Sequence, residues 1–421
     1  MADVQPLRTL RYDLRTVGSL DAVIAPPYDV IDPTRRAELV ARSPFNVVEI
    51  DLPDPGDGGD PYLHAITVLD AWRRQGILVR EDEPALWVLA QEFTAPDGAR
   101  RTRRGFFARV RVEDYGPGRI RPHERTQPGP KEDRLRLTRA TRTNLSPVFS
   151  LFDDPDGAAA RALAPATADR PFATATDDDD VENSIWRVDD PATIEAVRRA
   201  VGDRELLIAD GHHRYETART YAREIGGEGE HCYVLMFLCA LSDPGLDVFP
   251  THRLLTGLGD PEVQERLGAA LERDFDVERV ERGDLEPPAD GGRIAFGYMD
   301  AHFRQAYRLT LKDPATVAEA LPGHSDAYRA LDTAVLEALI LRGVLGLSEA
   351  DIADQRGVRY AKSTAEALEA LDSGRADAAF FLRPIPIEQV RAVAAAGESM
   401  PPKSTFFHPK VPTGLVFNPL E

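Results

Sequence analysis

Sulfur-containing residues and tryptophan are scarce in this 421-residue chain, which has two cysteines, four methionines and three tryptophans. Cys232 and Cys239 are too far apart for a Cys-x-x-Cys motif, so the sequence indicates neither a metal knuckle nor a disulfide framework. Both lie within or beside the apolar run 233–240. We therefore expect two buried free thiols and a reducing compartment, the cytoplasm.

Positive charge is also in short supply. The chain has 51 Lys and Arg residues against 70 Asp and Glu residues, a formal net charge of −19. Because nucleic acids are bound by basic protein faces, this balance argues against DNA as a partner while leaving room for a small basic pocket. No apolar stretch approaches the length of a membrane span, and the first residues lack the basic and apolar regions of a signal peptide, so we expect no membrane partner.

Several common catalytic and nucleotide-binding motifs are missing. The chain contains no GxxxxGK[ST] loop, no GxGxxG fingerprint, no HExxH and no GxSxG elbow. Any nucleotide site must therefore use a less common cradle for the phosphates.

The most informative segment that is present spans residues 206–215 and reads Leu-Leu-Ile-Ala-Asp-Gly-His-His-Arg-Tyr. An apolar run that stops at Asp-Gly before residues of helical spacing predicts a strand, a tight turn and a helix start. Backbone N–H groups and the positive end of the helix dipole attract anions at such a place. Phosphate binding is assigned to Gly211, His212, His213 and Arg214. Asp210 could hold a magnesium ion or orient a histidine, and the alternative for the whole segment is a salt-bridged turn.

A proline-flanked loop at 121–126 places Glu124 between His123 and Arg125. Glu124 could accept a proton from a substrate hydroxyl. Its ionised form would be favoured by Arg121, Arg125 and a protonated His123. The alternative is a set of surface ion pairs, which contribute little to stability.

Two further segments suit the walls of a ligand pocket. Paired prolines make the 25–30 loop rigid, so that Tyr28 and Asp29 could contact a substrate amine or a metal. The alternative there is a turn that leads into a helix near Pro33. The basic segment 131–142 either leans over phosphates or forms a solvated helix face.

The segment 400–410 combines lysines, hydroxyl groups and aromatic rings. This mixture suits a nucleotide, with a lysine such as Lys403 on the phosphates and an aromatic ring on the base. The alternative is a strand that packs Phe406 and Phe407 into the core and leaves the lysines outside.

The remaining sequence predicts alternating strands and helices. Strands are expected at 86–93 and 104–112, joined through the turn Pro96-Asp97-Gly98, and also at 232–241, 247–250, 293–298 and 378–382. Helices are expected at 191–201, 262–275 and 332–342. We divide the chain into a β-rich region 1–155 with the candidate catalytic loop, a phosphate-binding region 156–256, and an α/β region 257–421 of unknown role.

Four segments, 25–30, 123–126, 209–215 and 402–407, together resemble the domain-of-unknown-function family 1015, over almost the whole chain. The Asp-Gly-His-His-Arg turn is similar to the motif of the free-serine kinases in the ParB/sulfiredoxin-like superfamily. The resemblance implies an α+β fold, with a ParB/sulfiredoxin-like mixed core and an additional α/β C-terminal region. The chain is longer than a minimal ParB-like kinase, has no assignable counterpart after Thr256, and shows no helix-turn-helix segment.

The same resemblance implies a kinase of serine metabolism that transfers a phosphoryl group from ATP or ADP to the hydroxyl of free L-serine or a related metabolite. Glu124 matches the glutamate that acts on the hydroxyl, and Asp210 and His213 help to place Mg²⁺ and the phosphates. The expected partners are a nucleotide and a small-molecule substrate, and the oligomeric state is left open. The expected site residues are Glu124, His123 and His213 for catalysis, Gly211, His212, His213, Arg214, Arg125, Thr126 and Lys403 for phosphate or nucleotide, Asp210 for the metal, and Tyr28 and Asp29 for substrate.

Two other functions fit the same residues. One is a nucleotide-dependent binding switch without metabolite turnover. The other is a metal-dependent phosphatase or nuclease, although the His212–His213 pair lacks the surrounding carboxylates that two-metal hydrolases use.

Overall fold

The computed structural model describes residues 2–56, 58–95, 98–289 and 292–421. The chain packs into two compact units. Unit 1 comprises residues 1–122, 126–246 and 409–421, and unit 2 comprises residues 123–125 and 247–408. Unit 1 thus takes in most of the predicted regions 1–155 and 156–256, and the division into three regions stays a prediction.

The strands within the described residues are, in chain order, β1 Val4–Gln5, β2 Leu10–Tyr12, β3 Leu78–Arg80, β4 Leu86–Thr94, β5 Arg100–Arg111, β6 Ile120–Arg121, β7 Thr143–Asn144, β8 Val148–Phe152, β9 Ala173–Thr176, β10 Glu182–Val188, β11 Leu206–Asp210, β12 Tyr233–Ala240, β13 Asp247–Phe249, β14 His252–Leu255, β15 Phe275–Arg279, β16 Ala295–Asp300, β17 Tyr307–Leu311, β18 Val358–Ala361, β19 Ala378–Phe381, β20 Phe406–His408 and β21 Asn418–Pro419.

The α-helices are α1 Leu14–Val17, α2 Pro33–Arg42, α3 Val48–Asp51, α4 Pro61–Arg74, α5 Pro128–Thr141, α6 Ala158–Leu163, α7 Pro191–Gly202, α8 His212–Ile225, α9 Pro261–Asp274, α10 Ala315–Ala320, α11 Asp326–Arg329, α12 Asp332–Leu336, α13 Glu349–Ala353, α14 Thr364–Asp372 and α15 Ile387–Ala395. Helices α2, α4, α7 and α9 each begin with an Asp-Pro pair. The aspartate accepts from a first-turn N–H group, and the proline occupies a position that needs no donor. None of the helices in the described ranges is both long enough and apolar enough to cross a membrane.

Unit 1 is built on a mixed nine-stranded sheet with the order β6-β11-β8-β12-β5-β4-β10-β9, and β1 also pairs with β5. β11 runs parallel to β6, β12 runs parallel to β8, and the other neighbours are antiparallel. One apolar core includes Phe106, Phe152 and Tyr215, all buried. Helix α8 packs beside α5 and covers this sheet near β8 and β12.

Unit 2 contains an antiparallel six-stranded sheet with the order β15-β17-β16-β19-β14-β18, together with the two-stranded pair β13-β20. Its own core includes Leu285, Met299 and Phe381. A π-helical turn, Glu337–Arg342, directly follows α12, so the helix predicted at 332–342 is present but changes its winding.

The mixed α/β character expected from the sequence is confirmed. β4 and β5 pair as the predicted hairpin, but residues 96 and 97 of its predicted turn lie outside the described residues. The predicted helix at 191–201 corresponds to α7, and the predicted buried strand at 232–241 corresponds to β12. Both cysteines are free and buried, as predicted.

Candidate functional site

The predicted strand, tight turn and helix start are confirmed at residues 210–214, called the glycine turn below. β11 ends at Asp210, Gly211 has φ +91°, and α8 begins at His212. A side chain at Gly211 would be strained, and its Cβ would lie 3.0 Å from Cζ of Arg214. The N-cap residue is Gly211, which has no side chain to accept from the first N–H groups of α8.

Two cations hold the carboxylate of Asp210. Nη2 of Arg214 donates to Oδ2 at 2.6 Å, and Nζ of Lys410 donates to Oδ1 at 2.8 Å. Burial would raise the pKa of Asp210, but the charges of Lys410 and Arg214 outweigh it, and the pKa lies well below its usual value. The group therefore contains one carboxylate and two cations, and the charges of Asp29 and Asp51 also act on Arg214.

Arg214 also connects the glycine turn to the 25–30 loop. Its Nη1 donates to the carbonyl of Pro147, and the charges of Asp29 and Tyr28 act on its guanidinium. Burial lowers the pKa of Arg214, but the charge of Asp210 outweighs it and keeps the pKa above its ordinary value. Two of the four sequence motifs thus come together within unit 1.

A pocket in unit 1 is lined by Arg214, Tyr28, Arg134, Asp51 and Ser146, among others. The guanidinium of Arg134 lies 4.1 Å from the centroid of the Tyr28 ring and donates to the backbone carbonyl of Asp51 at 2.5 Å. Oδ2 of Asp51 accepts from Oγ of Ser146 at 2.8 Å. Burial raises the pKa of Tyr28 to about 12 and raises that of Asp51 despite the charge of Arg134. Tyr28 is therefore a neutral wall of this pocket.

The two histidines of the turn differ in environment. His212 is buried as the first residue of α8. Nε2 of His213 accepts from the backbone N–H of Gln127 at 2.9 Å, which requires a neutral ring with its proton on Nδ1. Thr126, one residue earlier, is half-buried and also belongs to unit 1.

The other two sequence motifs meet within unit 2. Nε2 of His123 lies 2.9 Å from Oγ1 of Thr405, and the His123 carbonyl accepts from the N–H of Met400 at 2.7 Å. The ring of His123, which is 1% exposed, lies edge-on to Phe407 at 5.9 Å. His123 therefore holds the 123–125 segment against the 400–408 segment.

Glu124 and Arg125 lie in the same unit and are more exposed than His123. The charge of Glu124 acts on Tyr360, where burial is the main cause of a raised pKa. Lys403 is exposed and has φ +55°, so its side chain lies outside the cluster that Thr405 and Phe407 form with His123. Its role in nucleotide binding stays a prediction.

The donor set at Asp210 does not fit the predicted magnesium ion. Magnesium requires oxygen ligands, and both carboxylate oxygens of Asp210 already accept from cationic groups. Within the described part of the chain, no group of three or more His, Cys, Asp or Glu side chains is arranged to hold a metal ion.

Three residues around Asp210 and the neighbouring pocket are not among the predicted site residues. Lys410 lies in the 400–410 segment, where only Lys403 is predicted to bind a nucleotide. Arg134 is one of several basic residues in 131–142, and Asp51 lies in none of the predicted motifs. The sequence does contain a signal for Asp51, because this residue lies between Ile50 and Leu52 in an apolar stretch. A carboxylate that is buried in such a stretch needs a partner.

Comparisons with known proteins give one family match and distant structural likenesses. The model of the family described as "Protein of unknown function (DUF1015)" matches residues 4–334, so the 402–407 motif lies beyond the matched range. No curated protein matches the chain.

Three of the similar solved structures can be named. A conserved hypothetical protein from Pyrococcus furiosus is 18% identical, with 70% of this chain and 92% of that chain covered and a TM-score of 0.35. A variant of a free serine kinase in complex with AMP is 16% identical, with 70% and 88% covered and a TM-score of 0.37. SbnI with a C-terminal truncation, from Staphylococcus aureus, is 10% identical, with 73% and 85% covered and a TM-score of 0.35.

Proposed function

The chain belongs to the DUF1015 family, whose description names no activity, and we propose from the geometry of the glycine turn that the protein is a small-molecule kinase. It would transfer a phosphoryl group from ATP or ADP to the hydroxyl of free L-serine or a related metabolite. The observation that carries the proposal is the convergence of Arg214 and Lys410 on Asp210, one residue before the glycine N-cap of α8.

Phosphate binding at this turn follows from three physical features. Gly211 lets the backbone turn without a Cβ in the way, and the first N–H groups of α8 add the positive end of the helix dipole. Arg214 and Lys410 each contribute a charged donor, and such donors form the stronger hydrogen bonds to phosphate oxygens. Asp210 keeps the two cations close together, so both can shift toward an incoming phosphate.

In phosphoryl transfer the protein mainly stabilises the charge that develops on the phosphoryl group, and it takes little part in the covalent chemistry. The hydroxyl oxygen attacks the terminal phosphorus, the bond from phosphorus to the bridging oxygen breaks, and the shortened nucleotide leaves. Glu124 is the residue proposed to receive the hydroxyl proton. The ParB/sulfiredoxin-like core, the cytoplasmic location and a role in serine metabolism belong to the same proposal.

The test is to incubate the purified protein with ATP or ADP and a pool of hydroxyl metabolites that includes L-serine, and to identify phosphorylated products by mass spectrometry. Parallel reactions with magnesium and with a chelator measure the metal requirement. We expect a phosphorylated alcohol such as phosphoserine. Nucleotide binding without any new product would replace the kinase by a nucleotide-dependent binding switch.

Glu124→Gln tests the base directly. We expect kcat to fall by about 100-fold or more, the usual contribution of a general base, while calorimetry shows unchanged nucleotide affinity. Glu388→Gln, at an exposed helix position of unit 2, is the matched control and should leave kcat unchanged. Equal turnover in the Glu124 variant and the wild type would rule out this role.

A further inference from the structure

A row of buried polar side chains crosses the main sheet of unit 1. Arg103 on β5 lies opposite Gln91 on β4, which in turn lies opposite Asn183 on β10. Nη2 of Arg103 donates to Oε1 of Gln91, and Nε2 of Gln91 donates to Oδ1 of Asn183 at 2.8 Å. All three side chains are at most 1% exposed, so this polar row is part of the core.

Burying the charged guanidinium of Arg103 in this position is energetically unfavourable. Its guanidinium lies 4.6 Å from the ring centroid of Phe149 and 5.6 Å from that of Phe237, and Nε and Nη1 have no hydrogen-bond partner within the described residues. Burial lowers the pKa of Arg103 to about 10, against the charges of Cys239, Asp243 and Asp210. Replacing a buried, incompletely paired charge by apolar groups often stabilises a protein, so stability alone does not explain Arg103.

The row ends at the main chain of the site residue Lys410. Nε2 of Gln91 also donates to the backbone carbonyl of Lys410 at 3.1 Å. The same lysine reaches Asp210 with its Nζ. Arg103 approaches the site by a second route, since it stacks on Phe149, the residue that faces Asp210 across the β11–β8 pairing.

We propose that Gln91, held in orientation by Arg103, is a positioning residue that fixes the backbone of Lys410 and so directs the Lys410 ammonium group to the glycine turn. A lysine side chain is a flexible stem with a point charge, so its ammonium group is well placed only when its backbone is fixed. Because the Arg103 guanidinium donates to Oε1 of Gln91, the Gln91 amide has a single orientation. In that orientation Nε2 of Gln91 can donate to the Lys410 carbonyl. The functional meaning of this placement rests on the proposed phosphate site.

The first experiment measures the position of Lys410 without any nucleotide. Wild type, Gln91→Met and Arg103→Lys are treated briefly with acetic anhydride, and the acetylation rate of Lys410 is followed by peptide mass spectrometry. We expect the rate to rise about fivefold to tenfold in both variants, as the loss of one buried hydrogen bond would produce. Ser150→Ala, which removes another buried polar group of the same sheet, should leave the rate unchanged. An unchanged Lys410 rate in both folded variants would overturn the proposal.

The second experiment measures the affinity for ADP in a double-mutant cycle of Gln91→Met and Lys410→Met. If Gln91 acts through Lys410, the double variant binds ADP no more weakly than Lys410→Met alone. Fully additive losses would mean that Gln91 supports the fold only. If the wild type itself binds no ADP, the phosphate site fails as a proposal, while the acetylation rates still decide whether Gln91 positions Lys410.

Discussion

Gly211 determines where Arg214 can lie. The backbone at φ +91° turns the chain from β11 into α8, and the space above the glycine is filled by the Arg214 guanidinium. The cation therefore lies against the backbone of the turn at Gly211. A residue with a side chain could keep the charge of the turn but not this arrangement.

Gly211→Ala should weaken ADP binding and destabilise the fold by about 1–3 kcal/mol, the usual cost of a strained backbone residue. Calorimetric titration and urea unfolding measure the two effects. Gly226→Ala is a matched control at the other end of α8, because Gly226 also has positive φ but nothing within 4 Å of its added Cβ. The control should lose stability and keep its affinity. Equal affinity in both variants would contradict the placement of the phosphate at this turn.

Among the secondary-structure elements, α3 and α5 are joined by a buried ion pair. Asp51 at the end of α3 and Arg134 in α5 are each 5% exposed, and Nη1 of Arg134 lies 3.4 Å from Oδ1 of Asp51. Since burial already raises the pKa of Asp51, the carboxylate depends on its partner to stay ionised. The pair thus holds α5 beside the pocket that Tyr28 lines.

Arg134→Met should lower the free energy of unfolding by about 3–5 kcal/mol, because it leaves a buried carboxylate without its cation. Denaturant unfolding at pH 7 measures the loss. The double variant Asp51→Asn with Arg134→Met should recover part of it, since no charge is then buried. Arg139→Met, at another position of α5, breaks an exposed pair with Glu224 of α8 and should cost less than about 1 kcal/mol. Similar losses in the Arg134 and Arg139 variants would refute the buried-pair argument.

The elements show how far the sequence could predict this fold. The β11-turn-α8 unit was predictable because its periodicity, its Asp-Gly turn and its helix start lie within a few residues of each other. The hairpin of β4 and β5 was predictable for the same reason. The contact between Lys410 and Asp210 was not, because it joins residues 200 positions apart. Nothing local distinguishes Lys410 from Lys403, and only the path of the folded chain selects it.

Over the molecule as a whole, the four sequence motifs are divided between the two units. The 25–30 and 209–215 segments meet in unit 1, while residues 123–125 meet the 402–407 segment in unit 2. No local feature of the four motifs indicates this division between the units. The assignments of Glu124, Arg125 and Lys403 therefore stay predictions that the proposed assays address.

The stability of unit 2 is expected to depend on pH because of the buried His252. The ring is fully buried, Nδ1 accepts from the N–H of Leu382, and Nε2 lies 3.3 Å from Oγ1 of Thr364. Burial, aided by the charge of Arg253, lowers the pKa of His252 to about 4. The unfolded chain, with an ordinary histidine pKa of about 6.5, binds a proton more readily. The stability gained from the neutral ring is present above pH 6.5 and is lost as the pH falls toward 4.

Between pH 7 and pH 5 this histidine should lower the stability of unit 2 by about 2 kcal/mol. Hydrogen exchange of the Leu382 amide and of β19, corrected for intrinsic rates, measures the change. His252→Asn is the comparison, because its Oδ1 can still accept from Leu382 but does not titrate. The difference between the two proteins should shrink as the pH falls. A constant difference from pH 7 to pH 5 would show that His252 does not cause the pH dependence.

The order of the segments along the chain has a consequence for synthesis on the ribosome. Unit 1 is completed by residues 409–421, which follow the whole of residues 247–408. Those residues supply Lys410 as well as Thr413, whose N–H and carbonyl both pair with Ala25, and β21, which pairs with β7. A nascent chain can therefore form the antiparallel sheet of the inserted unit before the cluster around Asp210 has its second cation. A ribosome-bound chain that ends before residue 410 lacks this cation, so the proposed phosphate site would be complete only after residue 410 has been added.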